Sequence, residues 1–182
     1  MTTTLSPRLA EIVDSLPLQP DSRVLEIGCG PGAAARAVAA RLTTGHILAV
    51  DRSATAVAQV RTNCAAEIAS GRMSVRHVAA EDFVLEPGED LFDIAFAVRV
   101  GALDGRHPEK GRLALQRITA ALSADGRLYI DGGRPLREIL PIPSADLSVP
   151  SVVKTGGSGS TGRSVHCRRE ADRKAAEGKG KR

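Results

Sequence analysis

The chain has 182 residues, 42% of them hydrophobic, enough for one domain with a buried core and too many for disorder throughout. Three Phe, one Tyr and no Trp are too few rings for a protein that binds nucleic acid by stacking bases. The net charge of +4 is a property of the C-terminal end: residues 163–182 hold eight Lys/Arg against three Asp/Glu, whereas residues 1–162 hold seventeen against eighteen.

The first predicted element is a helix from Ser6 to Leu16. Ser6 can cap it, Pro7 suits its first position, and Leu9, Ile12, Val13 and Leu16 form one apolar face. Pro17 and Pro20 end it. Arg23 to Ile27 then reads as a strand. It runs into Gly28, Cys29, Gly30, Pro31 and Gly32, and an alanine-rich helix is expected from Pro31 to Leu42. Strand, glycine turn and helix N-terminus in succession let a ligand approach backbone N–H groups. Gly28-x-Gly30-x-x-Ala33 also satisfies the loose fingerprint of a dinucleotide site. Glu26 separates the two readings. A carboxylate at the strand's end, close to where a pyrophosphate would lie, repels an anion and attracts a cation.

The stretch Glu26-Ile27-Gly28-Cys29-Gly30-Pro31-Gly32 resembles the first motif of the class I S-adenosylmethionine-dependent methyltransferases. Their cofactor carries a sulfonium and an ammonium and no phosphate. The resemblance implies that Glu26, Gly28, Cys29, Gly30 and Gly32 surround S-adenosylmethionine. It extends over about residues 5–168, and the helix at Ser6–Leu16 then lies either near the acceptor entrance or simply on the sheet edge.

Ile47 to Val50 is the second strand and ends in Asp51. An acid about twenty residues beyond the glycines, at the next strand tip, can accept hydrogen bonds from ribose hydroxyls; it can also serve the N-terminus of the following helix. Arg52 either covers the adenine or is solvated. One helix is expected from Ser53 to Ser70, with Ala56, Val57, Val60, Cys64 and Ile68 on its apolar side, stopped by Gly71. A short strand at Val75–Val78 leads into Ala79, Ala80, Glu81 and Asp82. In the family this loop meets the adenine, often with an acid where Ala79 stands here. Ala80, Glu81 and Asp82 are therefore the adenine-side candidates, with a solvated turn as the alternative for the two acids.

Phe92 to Val98 reads as a central strand buried on both faces. Phe92-Asp93-Ile94-Ala95-Phe96-Ala97 resembles the family's fourth motif, which places Ala97 beside the transferred methyl group. The loop that follows holds Arg99, Asp104, Arg106 and His107. His107 and Asp104 are the candidate general bases, with an exposed loop histidine as the alternative for His107. The Asn/Asp-Pro-Pro-Tyr signature of enzymes that methylate nucleobase or glutamine nitrogens is missing. A helix at Glu109–Leu122, with Leu113, Leu115, Ile118 and Leu122 apolar, precedes a turn at Ser123–Arg127 and a fifth strand at Leu128–Asp131. Pro135 to Leu140 reads as a short helical piece. Val152-Val153 and Val165-His166-Cys167, flanking a Gly/Ser-rich connection, fit the antiparallel hairpin that closes the family's sheet, or else a linker. Residues 171–182 have no apolar stripe.

The expected architecture is an α/β three-layer Rossmann-like sandwich. Its sheet is mostly parallel and seven-stranded with a C-terminal antiparallel hairpin. Residues 1–168 form the domain and 169–182 a basic tail. The resemblance implies in-line methyl transfer to a small-molecule acceptor, where the chain supplies alignment and, for a nucleophile of high pKa, a base. An NAD-dependent oxidoreductase and a nucleic-acid-associated module anchored by the basic tail are the alternatives. Cys29, Cys64 and Cys167 are widely spaced and suggest neither zinc nor disulfides, and no His/Asp/Glu cluster has metal-ligand spacing. With no leader pattern and no apolar run of 18 residues, a cytoplasmic protein without membrane contact is expected.

Overall fold

A computed structural model describes residues 5–139. The hairpin expected at 151–168 and the tail lie outside them. The described elements are α1 (Pro7–Ser15), β1 (Arg23–Ile27), α2 (Ala33–Ala39), β2 (His46–Asp51), α3 (Ala54–Asn63), α4 (Ala65–Ala69), β3 (Met73–His77), a 3₁₀ turn (Ala80–Asp82), β4 (Phe92–Ala97), α5 (Pro108–Ala121), β5 (Leu122–Asp131) and β6 (Leu136–Ile139). The strands form one sheet in the order β3-β2-β1-β4-β5-β6. The first five are parallel, and β6 is antiparallel to β5. This is the α/β Rossmann-like sandwich; five of its six described strands are expected ones, the sixth, β6, is not, and the last two expected strands lie outside the described residues.

The strands are apolar on both sides because helices cover both faces. Val24, Ile47, Ile94 and Phe96 pack with Val13, Leu16, Ala35, Val38 and Val60 of α1, α2 and α3. Leu25, Leu48, Ala95 and Leu128 pack on the other face with Phe83 and with Ala114 and Ile118 of α5. Ser6 caps α1 as expected, its Oγ accepting from the Leu9 N–H at 3.3 Å, and Ile12 and Val13 are fully buried.

Four local expectations are corrected. α2 starts at Ala33, not Pro31, because Gly28, Gly30 and Gly32 all hold positive φ and keep the chain in the turn. The single helix expected over 53–70 is two, α3 and α4, broken at Cys64 (φ −118°, ψ 26°), whose thiol turns toward the Gly32 carbonyl at 3.6 Å. The turn expected at Ser123–Arg127 is absorbed into a long β5. Phe92 pairs with Leu122 but Ile94 with Arg127, so the Asp125-Gly126 signal marks an irregular bulge rather than a strand end. Finally, the piece expected to be helical after Pro135 is strand β6. The Gly132-Gly133 turn reverses the chain and lets Leu136–Ile139 pair with β5.

Candidate cofactor and acceptor site

The parallel strands all end on one side, and β1 marks the switch point: β2 lies to one side of it and β4 to the other. A cavity of about 310 Å³ opens there. It is lined by Ile27 and Gly28 after β1, Val50, Asp51 and Arg52 at the tip of β2, Val78, Ala80 and Glu81 after β3, and Arg99 to Ala102, Arg106, His107 and Lys110 after β4.

The turn that begins this site is tied to β2, since the Gly28 and Cys29 N–H groups both donate to the Val50 carbonyl at 2.8 and 3.1 Å. At Gly28, φ is +71° and a Cβ would stand 2.7 Å from a Val100 methyl, so the β4–α5 loop closes directly over backbone that only glycine provides. Asp51 completes the turn. Its Oδ2 accepts from the Gly30 N–H at 2.9 Å and its Oδ1 from the Ser53 N–H at 2.8 Å, while Ser53 caps α3. Each carboxylate oxygen keeps a further lone pair for a hydroxyl donor. The two roles foreseen for Asp51, ligand acceptor and helix-terminal acid, are thus geometrically compatible.

Glu26 is set behind the turn rather than at its mouth. It lies on the face of β1 that carries Val24, which is the face covered by α2. It therefore meets the first turn of that helix, where the Ala35 N–H donates to it, and its Oε2 has no partner. Burial raises its pKa from 4.5 to about 8, opposed by the Ala35 hydrogen bond and helped by the nearby Asp51 charge. Cys29 is buried beside it, and burial drives its thiol upward, further raised by Glu26 and Asp51. Gly32 is turned away from the cavity: a Cβ there would meet Cys64 Sγ at 2.9 Å and Val60 at 3.1 Å.

Of the three residues expected at the adenine, Ala80 and Glu81 line the cavity and Asp82 is exposed outside it. Glu81 is not a free acceptor. Lys110 of α5 pairs with it at 2.9 Å and holds its carboxyl below the usual range. Sequence reasoning missed Lys110, because the ion pair joins segments separated by β4.

The loop after β4 divides the remaining candidates. Ala97 and Asp104 line a second, small cavity of about 60 Å³ with Arg99, Val100, Leu103, Ile130 and Asp131, whereas His107 lines the larger one. Asp104 accepts from the Arg106 backbone at 3.0 Å and from its guanidinium at 2.6 and 2.5 Å, which lowers its pKa and makes it a poor proton acceptor. His107 is exposed at the N-cap of α5, and its side chain makes no capping hydrogen bond. Asp131, unforeseen, ends β5 beside β4 and accepts the Arg99 N–H at 2.7 Å. The only signal for it was its place after the apolar run of β5, which means little until β5 is known to neighbour β4.

A family model described as a methyltransferase domain matches residues 24–126, from β1 into the bulge of β5. A Bacillus subtilis (strain 168) protein bearing the name methyltransferase, YrhH, is 29% identical over 119 residues, which are 65% of this chain and 62% of that protein. The chain thus spans less than two thirds of that curated relative. Among solved structures, the [4+2]-cyclase SpnF is 29% identical with a TM-score of 0.54, over 68% of this chain and 43% of the cyclase. An S-adenosylmethionine-dependent methyltransferase from Geobacter sulfurreducens, in complex with S-adenosylhomocysteine, is 22% identical with a TM-score of 0.54, over 69% and 48% of the two chains.

Proposed function

This chain belongs to the methyltransferase domain family, and we propose that it binds S-adenosylmethionine and transfers its methyl group to a small-molecule acceptor. The observation that carries the reading is the cavity at the glycine turn, which presents Asp51, with the buried and unpartnered Glu26 oxygen behind that turn. An orphaned carboxylate oxygen is costly to bury unless something in the functional state satisfies it. A ligand with cationic groups and a ribose suits that donor set; a diphosphate does not. Glu26, behind the turn, would act through its charge on the cationic end, Asp51 would accept from the ribose hydroxyls, and Arg52, Ala80 and Glu81 would border the base. Gly28, Gly30 and Cys29 would supply close backbone, and Ala97 would flank the methyl side.

When bound, S-adenosylmethionine supplies an electrophilic methyl on a sulfonium. The chain's own contribution is placement, because β1 and β4 fix the two cavities against each other. Val100 packs over Gly28 and closes the turn from that side. If the acceptor must lose a proton, His107 is the group available to take it, Asp104 being held by Arg106. Cavities of about 310 and 60 Å³ suit a small ligand rather than a polymer.

Calorimetry with S-adenosylmethionine and S-adenosylhomocysteine tests the reading. Binding of both is expected in roughly the micromolar range, with Asp51→Ala and Glu26→Ala each weakening it about tenfold or more. No binding of either compound would overturn it.

A further inference from the structure

Resting on the methyl-transfer reading, we propose that Arg99 recognises a carboxylate on the acceptor, and that Asp131 is the positioning residue that holds it there.

Three observations converge on Arg99. It is the only non-glycine residue with positive φ among the described residues, at +58°. A long side chain in that conformation is strained, and such strain persists where the surroundings impose it, most often at functional sites. Here the imposing group is identifiable: the Asp131 carboxylate at the end of β5 accepts the Arg99 N–H at 2.7 Å, across the β4–β5 boundary. Lastly, Arg99 and Val100 are the residues that line both the larger cavity and the small one beside it. Arg99 thus stands on the partition between the cofactor side and the ends of β4 and β5.

The charges around it are accounted for in a way that leaves Arg99 over. Asp104 is taken by Arg106, and Glu81 by Lys110. Asp51 accepts two backbone N–H groups. Asp131 spends Oδ2 on the Arg99 backbone, and its Oδ1 lies 3.7 Å from the Arg8 guanidinium of α1. No hydrogen bond or ion pair engages the Arg99 guanidinium among the described residues. Arg52 bears electrostatically on Glu81 and follows Asp51 at the β2 tip, on the cavity's far strand. The small cavity's other polar wall groups are Asp104, taken by Arg106, and Asp131, whose buried Oδ1 has no hydrogen-bond partner. A guanidinium presents a planar fork that suits a carboxylate. One such fork balances a monoanion, whereas a phosphate monoester near −2 would call for a second cation. A carboxylic acid is therefore the favoured acceptor class, its reacting atom lying elsewhere on the molecule.

Competition binding by ligand-observed NMR on the full chain tests this, with and without saturating S-adenosylhomocysteine. The probes are 4-hydroxybenzoate, its neutral amide 4-hydroxybenzamide, and phenyl phosphate. The acid is expected to bind about tenfold tighter than the amide, and tighter than phenyl phosphate. R99Q should abolish that preference while keeping a cooperative thermal transition like that of the wild type. D131A should reduce the preference strongly. D131N should retain most of it, because its amide oxygen still accepts the Arg99 N–H, a rescue that loss of a mere surface charge would not give. Equal binding of acid and amide by the wild-type chain, a preference surviving in R99Q, or stronger binding of phenyl phosphate would each overturn the assignment. A chain that binds no S-adenosylhomocysteine overturns the methyl-transfer reading instead, and that outcome is read separately from the acid preference.

Discussion

At the scale of single residues, Glu26 is a buried carboxyl under electrostatic tension. It is 4% exposed, with one oxygen held by the Ala35 N–H and the other unpartnered. In the ligand-free folded chain it keeps its proton to about pH 8, whereas an unfolded Glu releases it near 4.5. As pH rises through that window the unfolded state sheds the proton first, so stability falls from about 4.5 to about 8 and levels off above. Glu26→Gln carries no charge to bury and should lack this slope. Thermal denaturation of both chains should show the variant gaining on the wild type by about 1 kcal/mol per pH unit across the window. A constant difference would mean that the Glu26 carboxyl is not buried as described. The same variant should bind S-adenosylmethionine more weakly, since stability and ligand capture pull this residue in opposite directions.

At the scale of elements, α5 shows a helix face read correctly except at one edge. Leucine spacing pointed to Leu113, Leu115, Ile118 and Leu122; Ile118 and Leu122 are buried and Leu115 packs against the same core, but Ala114 and Ala121 complete the stripe in place of Leu113. Leu113 is 38% exposed and Leu122 already belongs to β5. Small alanines let α5 lie close on Leu25, Ala95 and Leu128, and hydropathy ranks them below leucine although packing prefers them there. Ile118→Ala should cost about 2–5 kcal/mol in denaturant titration. Leu113→Ala should stay within about 0.5 kcal/mol of wild type. Comparable losses at both positions would mean that the helix is rotated from its described orientation. The docking matters for the site because α5 carries Lys110 to Glu81 and starts directly after the loop that holds Arg99 and His107.

At the scale of the whole molecule, the sheet order sets what can be reached by one ligand. S-adenosylhomocysteine at about a hundred times its Kd should stabilise the chain by about 2.7 kcal/mol and raise the Tm by roughly 5–10 °C, with NADH producing no shift. The reverse pattern would favour the alternative dinucleotide reading. Much of this was legible in the residues alone. The glycine turn behind a short apolar strand, the acid at the β2 tip, the Ser6 cap and the alternation of strand and helix are local features. Each depends on φ preference, hydrogen-bonding type or periodicity over a few residues, which a linear chain records directly. What the tertiary structure alone decided are the relations between distant segments. Glu26 lies behind the turn because α2 covers that face of β1. Asp131 reaches Arg99, and β5 absorbs a turn signal, because β4 and β5 are neighbours. Lys110 meets Glu81 because α5 folds back onto the 3₁₀ turn. Such pairings depend on which surfaces the chain buries together, and no local propensity encodes that.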